Sequence, residues 1–188
     1  MRGEQRYWND PAEIVTGGSW ATEQEAEEDL VAFLAGTRLF SIYQQPTGTP
    51  IVRRPFQTES KGQLRADLLL TPKRRLIQQG WAFGSIIIDV KRSGIKIGPG
   101  LNQLIDYLGT AWRVVGGTAV LADFALLFPA RCPGGPLASI MAHQHVGGAN
   151  LQYGRLNMYC GHSRVMAIEP SGEVRIGRMD FGHKLGSR

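Results

Sequence analysis

Asp89 and Lys91 stand two residues apart at the end of Ser85-Ile86-Ile87-Ile88-Asp89-Val90-Lys91, a run in which Ile86, Ile87, Ile88 and Val90 are β-branched. Such a run predicts a strand covered on both faces, in the middle of a mixed or parallel sheet, where charge has no natural place. The period of two in a strand directs both charged side chains to one face. An acid and an ammonium there either satisfy each other or jointly hold something, such as a metal ion and a water. Two more carboxylates sit in similar company. Asp67 interrupts the apolar run Leu64 to Leu70, and Glu27 shares the i, i+3, i+4, i+7 stripe of Leu30, Val31 and Leu34. The plainer reading of Glu27 is a first-turn acid serving only the helix dipole.

Three carboxylates and a lysine converging on the end of a sheet make chemical sense for phosphodiester hydrolysis. Oxygen ligands from Asp67, Asp89 and Glu27, with the Val90 carbonyl as a further one, suit Mg²⁺ or Mn²⁺. Such an ion would polarise the scissile phosphate, acidify a bound water and stabilise the leaving oxygen. Lys91 would hold or help deprotonate the attacking water and offset transition-state charge. An acid-x-Lys tripeptide alone is weak: Glu59-Ser60-Lys61 matches equally well, yet lies in a polar turn beside Gly62.

The elements that must position these residues follow in order. Residues 1–18 read as a loose arm, broken by Pro11 and Gly17-Gly18. A helix starts at Thr22, with Thr22-x-x-Glu25 as a capping box and Glu23, Glu27, Glu28 and Asp29 in its early turns, and ends before Gly36. Arg38 to Gln45 predicts a strand closed by a Pro46–Pro50 turn, and a second strand is expected from Ile51 to Gln57. Leu64 to Leu70 predicts a strand stopped at Thr71-Pro72, Lys73-Arg74-Arg75 an exposed connector, and Trp81 to Val90 the central strand. Pro99 is fit to open a helix running to about Trp112. On it Gln103 and Tyr107, four apart, share a face and could act on one ligand; alternatively they form a flank that packs Tyr107 and solvates Gln103. Thr118 to Phe128 predicts another long strand. Leu137 to Val146 reads as helix or strand, and Arg155 to Cys160, Arg164 to Glu169 and Glu173 to Arg178 as short strands.

At 188 residues, 43% hydrophobic and 20% charged, the chain reads as one globular domain over 1–188. No run approaches the ~18 apolar residues of a membrane helix, and the first six residues lead into no apolar segment, so a cytoplasmic location is expected. Cys132 and Cys160 are expected as thiols. With His143, His145 and His162 they lack any zinc-ligand spacing, which favours structural or surface roles. The net charge of +5 is uneven: residues 51–96 hold ten basic side chains against three acids. That is the footprint of a phosphate-backbone binder, or of a solvated basic surface.

Taken together, these residues resemble the PD-(D/E)XK nuclease superfamily. The likeness is carried by Glu27, by Asp67 in Arg65-Ala66-Asp67, by Asp89-Val90-Lys91, and by Gln103-Leu104-Ile105-Asp106-Tyr107. The last looks like the Gln-x-x-x-Tyr motif of the branch containing the RecB exonuclease domain and the CRISPR-associated nucleases. The match covers roughly residues 22–128, leaving 129–188 as a β-rich C-terminal extension of unknown role. The resemblance implies an α/β, restriction-endonuclease-like core with a central mixed β-sheet flanked by helices. It implies a metal-dependent deoxyribonuclease acting in DNA processing, recombination or repair, with Mg²⁺ or Mn²⁺ as cofactor. Asp67, Asp89, Lys91 and Glu27 would be catalytic; Asp67, Asp89, Val90 and Glu27 would hold the metal. Gln103 would position water or metal ligands, Tyr107 would contact the nucleic-acid backbone, and Arg65 and Arg92 would join them in binding substrate. Ala66 replaces the Pro of the motif's name, and Asp89 stands where Glu is more frequent, one methylene shorter. The cysteine set of an iron–sulfur cluster is missing, so no cluster is expected.

The competing reading from another class is a catalytically silent nuclease fold kept for DNA binding or assembly. A structural Asp89–Lys91 ion pair in an unrelated α/β protein is the third. DNA is the expected partner, through segment 51–96, and either a second copy or a separate motor or recombination protein is compatible, since no Walker-type GxxxxGK occurs.

Overall fold

Thr22 opens the first helix as the sequence predicts. Its Oγ1 accepts from the Glu25 N–H at 3.1 Å, and the Glu25 carboxylate accepts from the Thr22 N–H at 3.2 Å, the reciprocal bonds of a capping box. The structure is a computed structural model, describing residues 19–51, 62–95, 98–130, 144–160 and 163–177. The helix, α1 (Glu23–Thr37), continues past Gly36, and Arg38 takes the left-handed position at φ 58°. Thr37 explains the difference. Its buried Oγ1 donates to the Leu34 carbonyl at 2.7 Å and accepts from the Leu39 N–H at 3.4 Å, closing the last turn without a glycine.

The chain then forms β1 (Phe40–Gln44), β2 (Thr47–Pro50), β3 (Leu64–Arg65), β4 (Leu68–Pro72), a short helix α2 (Arg74–Gln78) and β5 (Ser85–Val90). After these come α3 (Gly98–Leu108), β6 (Thr110–Arg113), β7 (Ala119–Val120), β8 (Ala122–Phe128), β9 (Val146–Gln152), β10 (Arg155–Cys160), β11 (Ser163–Ile168) and β12 (Val174–Ile176). The result is an α/β architecture with two sheets. The larger is mixed, in the order β1-β4-β5-β8-β9-β10-β11-β12; the smaller is antiparallel, β3-β2-β6-β7.

β5 is the buried strand its apolar run predicts. All six residues are buried, with β4 antiparallel on one side and β8 parallel on the other. Alternation sends Ile86, Ile88 and Val90 into one cluster with Leu30 and Leu34 of α1, and Ile87 into a second with Leu104 and Tyr107 of α3. Asp89 has the parity of Ile87 and so faces α3. Each fully buried Ile contributes roughly 1.5–3 kcal/mol relative to exposure, which anchors β5 within the sheet.

The smaller sheet overturns several boundaries. The expected Pro46–Pro50 turn contains β2, which pairs with β3 and β6. Gly48 permits this, because a Cβ there would lie 2.8 Å from the Trp112 ring. The expected strand Leu64 to Leu70 divides into β3 and β4, one in each sheet, with Ala66 and Asp67 at the joint. Thr118 to Phe128 divides likewise into β7 and β8, and Ser85 rather than Trp81 begins the central strand. α3 stops at Leu108, and Trp112, expected as its end, lies in β6, its indole N–H donating to the Tyr107 carbonyl at 3.1 Å. Leu64–Leu70 and Thr118–Phe128 are each shared between two sheets, which local periodicity cannot register.

β10, β11 and β12 match the expected short strands, and with β9 they continue the larger sheet rather than forming a separate layer. The expected Ile51–Gln57 strand and most of Leu137–Val146 lie outside the described residues. So do the arm 1–18, Arg53, Arg54, Glu59, Lys61, Lys96, Cys132, His143 and His162. Among the described residues no helix is long and apolar enough to cross a membrane.

Candidate active site

The β4–β5 register, with Leu68 opposite Ile88, carries Asp67 opposite Asp89. Asp67 Oδ2 accepts the Val90 backbone N–H at 2.6 Å. This bond spans the gap where β4 bends away toward β3, so the carboxylate does the work of the next ladder bond. The joint is held from behind as well. Gln45 N–H donates to the Asp67 carbonyl at 2.7 Å, and the Tyr107 hydroxyl donates to the Arg65 carbonyl at 3.0 Å.

Lys91 lies beyond the end of β5, its N–H donating to the Phe128 carbonyl at 2.7 Å. Its ammonium, on a side chain 26% exposed, is 3.0 Å from Oδ2 of Asp89, which is only 2% exposed. The same ammonium donates to the Val90 carbonyl at 3.2 Å. Asp89 Oδ2 has a charge partner but no hydrogen bond of acceptable angle. Burial lifts the Asp89 carboxyl to about 6; Lys91 opposes this, and Asp67 and Glu23 reinforce it. Burial works against the Lys91 charge, but Asp89, Asp67 and Glu23 outweigh it and raise its proton affinity.

Glu27 approaches from α1, on the opposite face of the sheet. Its carboxyl is raised by burial, then by Asp67 and Glu28. Among the described residues no hydrogen bond or ion pair joins it to Asp67, Asp89 or Lys91. What brings the start of α1 to this end of β5 is Trp20: its N–H donates to Ser93 Oγ at 3.0 Å, and the Ser93 N–H returns to the Trp20 carbonyl at 3.0 Å. The Trp20 ring also packs on Phe128 at 5.2 Å. Sequence reasoning missed this clasp, and it missed Glu23, whose charge reaches Asp89 and Lys91 from one turn before Glu27. The i, i+4 spacing of Glu23 and Glu27 was the available signal.

Gln103 and Tyr107 do share a face. Gln103 Nε2 donates to the Tyr107 hydroxyl. Tyr107 is 1% exposed, however, and its hydroxyl is spent on the Arg65 carbonyl, so it braces the Asp67 joint instead of reaching outward to a backbone. Burial, then the Asp89 charge, keeps the phenol protonated. Arg65 and Arg92 are exposed, two residues before Asp67 and three after Asp89 in the chain.

The arrangement suits a cation in one respect and lacks a feature in another. Two oxygens expected to ligate a metal, Asp89 Oδ2 and the Val90 carbonyl, already share a cation, the Lys91 ammonium. Among the described residues no three His, Cys, Asp or Glu side chains stand together as a ready metal set. Among the described residues the basic side chains of segment 51–96 fall at both ends of the sheet. β4 runs away from Asp67, so Lys73, Arg74 and Arg75 lie at the other end of the sheet, roughly 20 Å away at ~3.3 Å per residue. There Arg75 is tied to the Thr37 and Ser171 carbonyls at 3.1 and 2.8 Å. Comparison of the chain with protein-family models, curated proteins and solved structures gives no match.

Proposed function

We propose that this chain is a metal-dependent deoxyribonuclease with a restriction-endonuclease-like core, using Asp67, Asp89, Lys91 and Glu27. The observation that carries the reading is the chain of polar contacts at the end of a buried strand, Asp67 to the Val90 N–H at 2.6 Å, and Lys91 to the Val90 carbonyl at 3.2 Å and to Asp89 at 3.0 Å. The mixed sheet, with α1 on one face of β5 and α3 on the other, supports the fold assignment.

A divalent ion held by Asp89, the Val90 carbonyl and Asp67 would supply Lewis-acid stabilisation of phosphoryl charge. The chain's own residues do the rest. Asp67 is fixed by the Val90 N–H through Oδ2, and its second oxygen would be offered to the ion. Lys91, once released from Asp89 and the Val90 carbonyl, orients the attacking water and offsets charge on the phosphoryl oxygens. Glu27, with its raised proton affinity, is suited to exchange a proton near the reacting centre. Gln103 and Tyr107 hold the Asp67 joint in register.

The test is incubation of the purified protein with linear, circular and single-stranded DNA in Mg²⁺, Mn²⁺ or EDTA, beside Lys91→Ala. Cleavage that requires metal and is lost in the variant is expected, and the fate of the circle separates endonuclease from exonuclease. Turnover unchanged in Lys91→Ala would remove the site assignment. A second reading, a silent nuclease fold that binds DNA, is favoured by one observation: the Lys91 ammonium neutralises Asp89. Salt-dependent DNA binding without cleavage under any metal would select it.

A further inference from the structure

The turn between β9 and β10 has two residues, Tyr153 and Gly154, since Gln152 pairs with Arg155. Both have positive φ, 53° and 69°, as a type I′ hairpin turn requires. The first position favours Asn, Asp or Gly, and a bulky side chain there is an outlier. Tyr153 nevertheless occupies it. It is 96% exposed and has no hydrogen bond, ion pair or ring contact among the described residues. An aromatic that works against its own turn and adds nothing to the core has its explanation outside the chain.

The position of the tip says where. β9 is parallel to β8, and β8 to β5, so all three strands point the same way. Asp89 pairs with Leu127, and Leu127 with Gly148, which puts Tyr153 five residues beyond the level of Asp89 and two strands across. At ~3.3 Å per residue and ~4.8 Å per strand, the tip projects past the catalytic end of the sheet, about 20 Å from Asp89. That matches the length of roughly six stacked nucleotides at ~3.4 Å each. A phenol ring open on its faces is the chemistry that stacks a nucleobase irrespective of sequence. A paired base already has stacking neighbours, so the ligand is an unpaired one.

We propose that Tyr153 is a stacking platform for an unpaired base of the DNA strand leading into the Asp89–Lys91 site; this rests on the nuclease reading. The test compares wild type with Tyr153→Gly and Tyr153→Phe, binding labelled oligo-dT and a blunt duplex in EDTA, with thermal denaturation of each protein. Tyr153→Gly suits the left-handed position and is expected to melt at or above the wild-type temperature. It should bind oligo-dT about tenfold more weakly, within the range of one lost base stack, with duplex affinity unchanged. Tyr153→Phe keeps the ring and should bind as wild type. Unchanged oligo-dT affinity in Tyr153→Gly overturns the platform, as does an equal loss on duplex; in either case metal-dependent cleavage by wild type would leave the nuclease reading standing. A wild-type protein that neither binds nor cleaves DNA removes both.

Discussion

Asp89 is the residue at which folding and chemistry pull in opposite directions. A carboxylate 2% exposed, with one ammonium beside it and no hydrogen bond to the facing oxygen, is held against its tendency to take up a proton. The unperturbed value is 3.8 and the folded value about 6, so the folded state holds the proton more tightly. The favourable contribution of protonated Asp89 is therefore complete below pH 3.8 and is lost as pH rises through about 6. Two units correspond to roughly 3 kcal/mol. Asp89→Asn is expected to raise the melting temperature at pH 7.5 and leave it little changed near pH 4, while abolishing cleavage. Equal shifts at both pH values would show that Asp89 is not the titrating group. The Lys91 ammonium contacts Asp89 Oδ2 and the Val90 carbonyl, two of the oxygens that would hold the proposed divalent ion, so the two cations would compete. Lys91→Met should bind Mn²⁺ roughly fivefold more tightly by calorimetry, about 1 kcal/mol for a partly exposed pair, yet fail to cleave. Unchanged Mn²⁺ affinity would mean the ammonium does not compete.

Elements reach the site by bonds that hydrophobic patterning does not encode. α1 is delivered by the reciprocal Trp20–Ser93 bonds, which tie the chain two residues before the capping box to the turn after Lys91. α3 is delivered by Tyr107, whose hydroxyl fixes the Arg65 carbonyl two residues before Asp67. Tyr107→Phe keeps the packing against Trp112, where the rings meet edge-on at 5.2 Å, and removes the hydroxyl that donates to the Arg65 carbonyl and accepts from Gln103, whose exposed amide then bonds water. The expected result is a loss of about 1 kcal/mol in denaturant stability, as for one buried hydrogen bond. A fall in cleavage at temperatures where the variant remains folded, with little change in DNA affinity, would mark Tyr107 as a positioning residue. A loss of affinity with cleavage rate intact would instead restore it to substrate contact.

At the scale of the whole molecule, topology decides which charges act together. Residues 51–96 are basic as a segment, but the β4 strand carries Lys73 and Arg74 to the far end of the sheet from Asp67, whereas Arg65 and Arg92 lie within three residues of Asp67 and Asp89 in the chain. Lys73→Gln with Arg74→Gln is therefore expected to leave DNA affinity and its salt dependence unchanged. Arg92→Gln should weaken binding and reduce the slope of log affinity against log salt by about 1. The reverse pattern would place the nucleic-acid track on the opposite end of the molecule.

The sequence by itself determined the buried central strand, the capping-box start of α1, the shared face of Asp89 and Lys91 and the neighbourhood of Gln103 and Tyr107. Each follows from interactions within about seven residues, where periodicity and capping act directly. Only the tertiary structure decided that Asp67 sits at a joint between two sheets, that Tyr107 points inward, that Glu23 joins the acidic set and that β9 to β12 extend the same sheet. Those outcomes depend on which strands pair across long separations, and a strand's own residues carry its faces but not the identity of its neighbours.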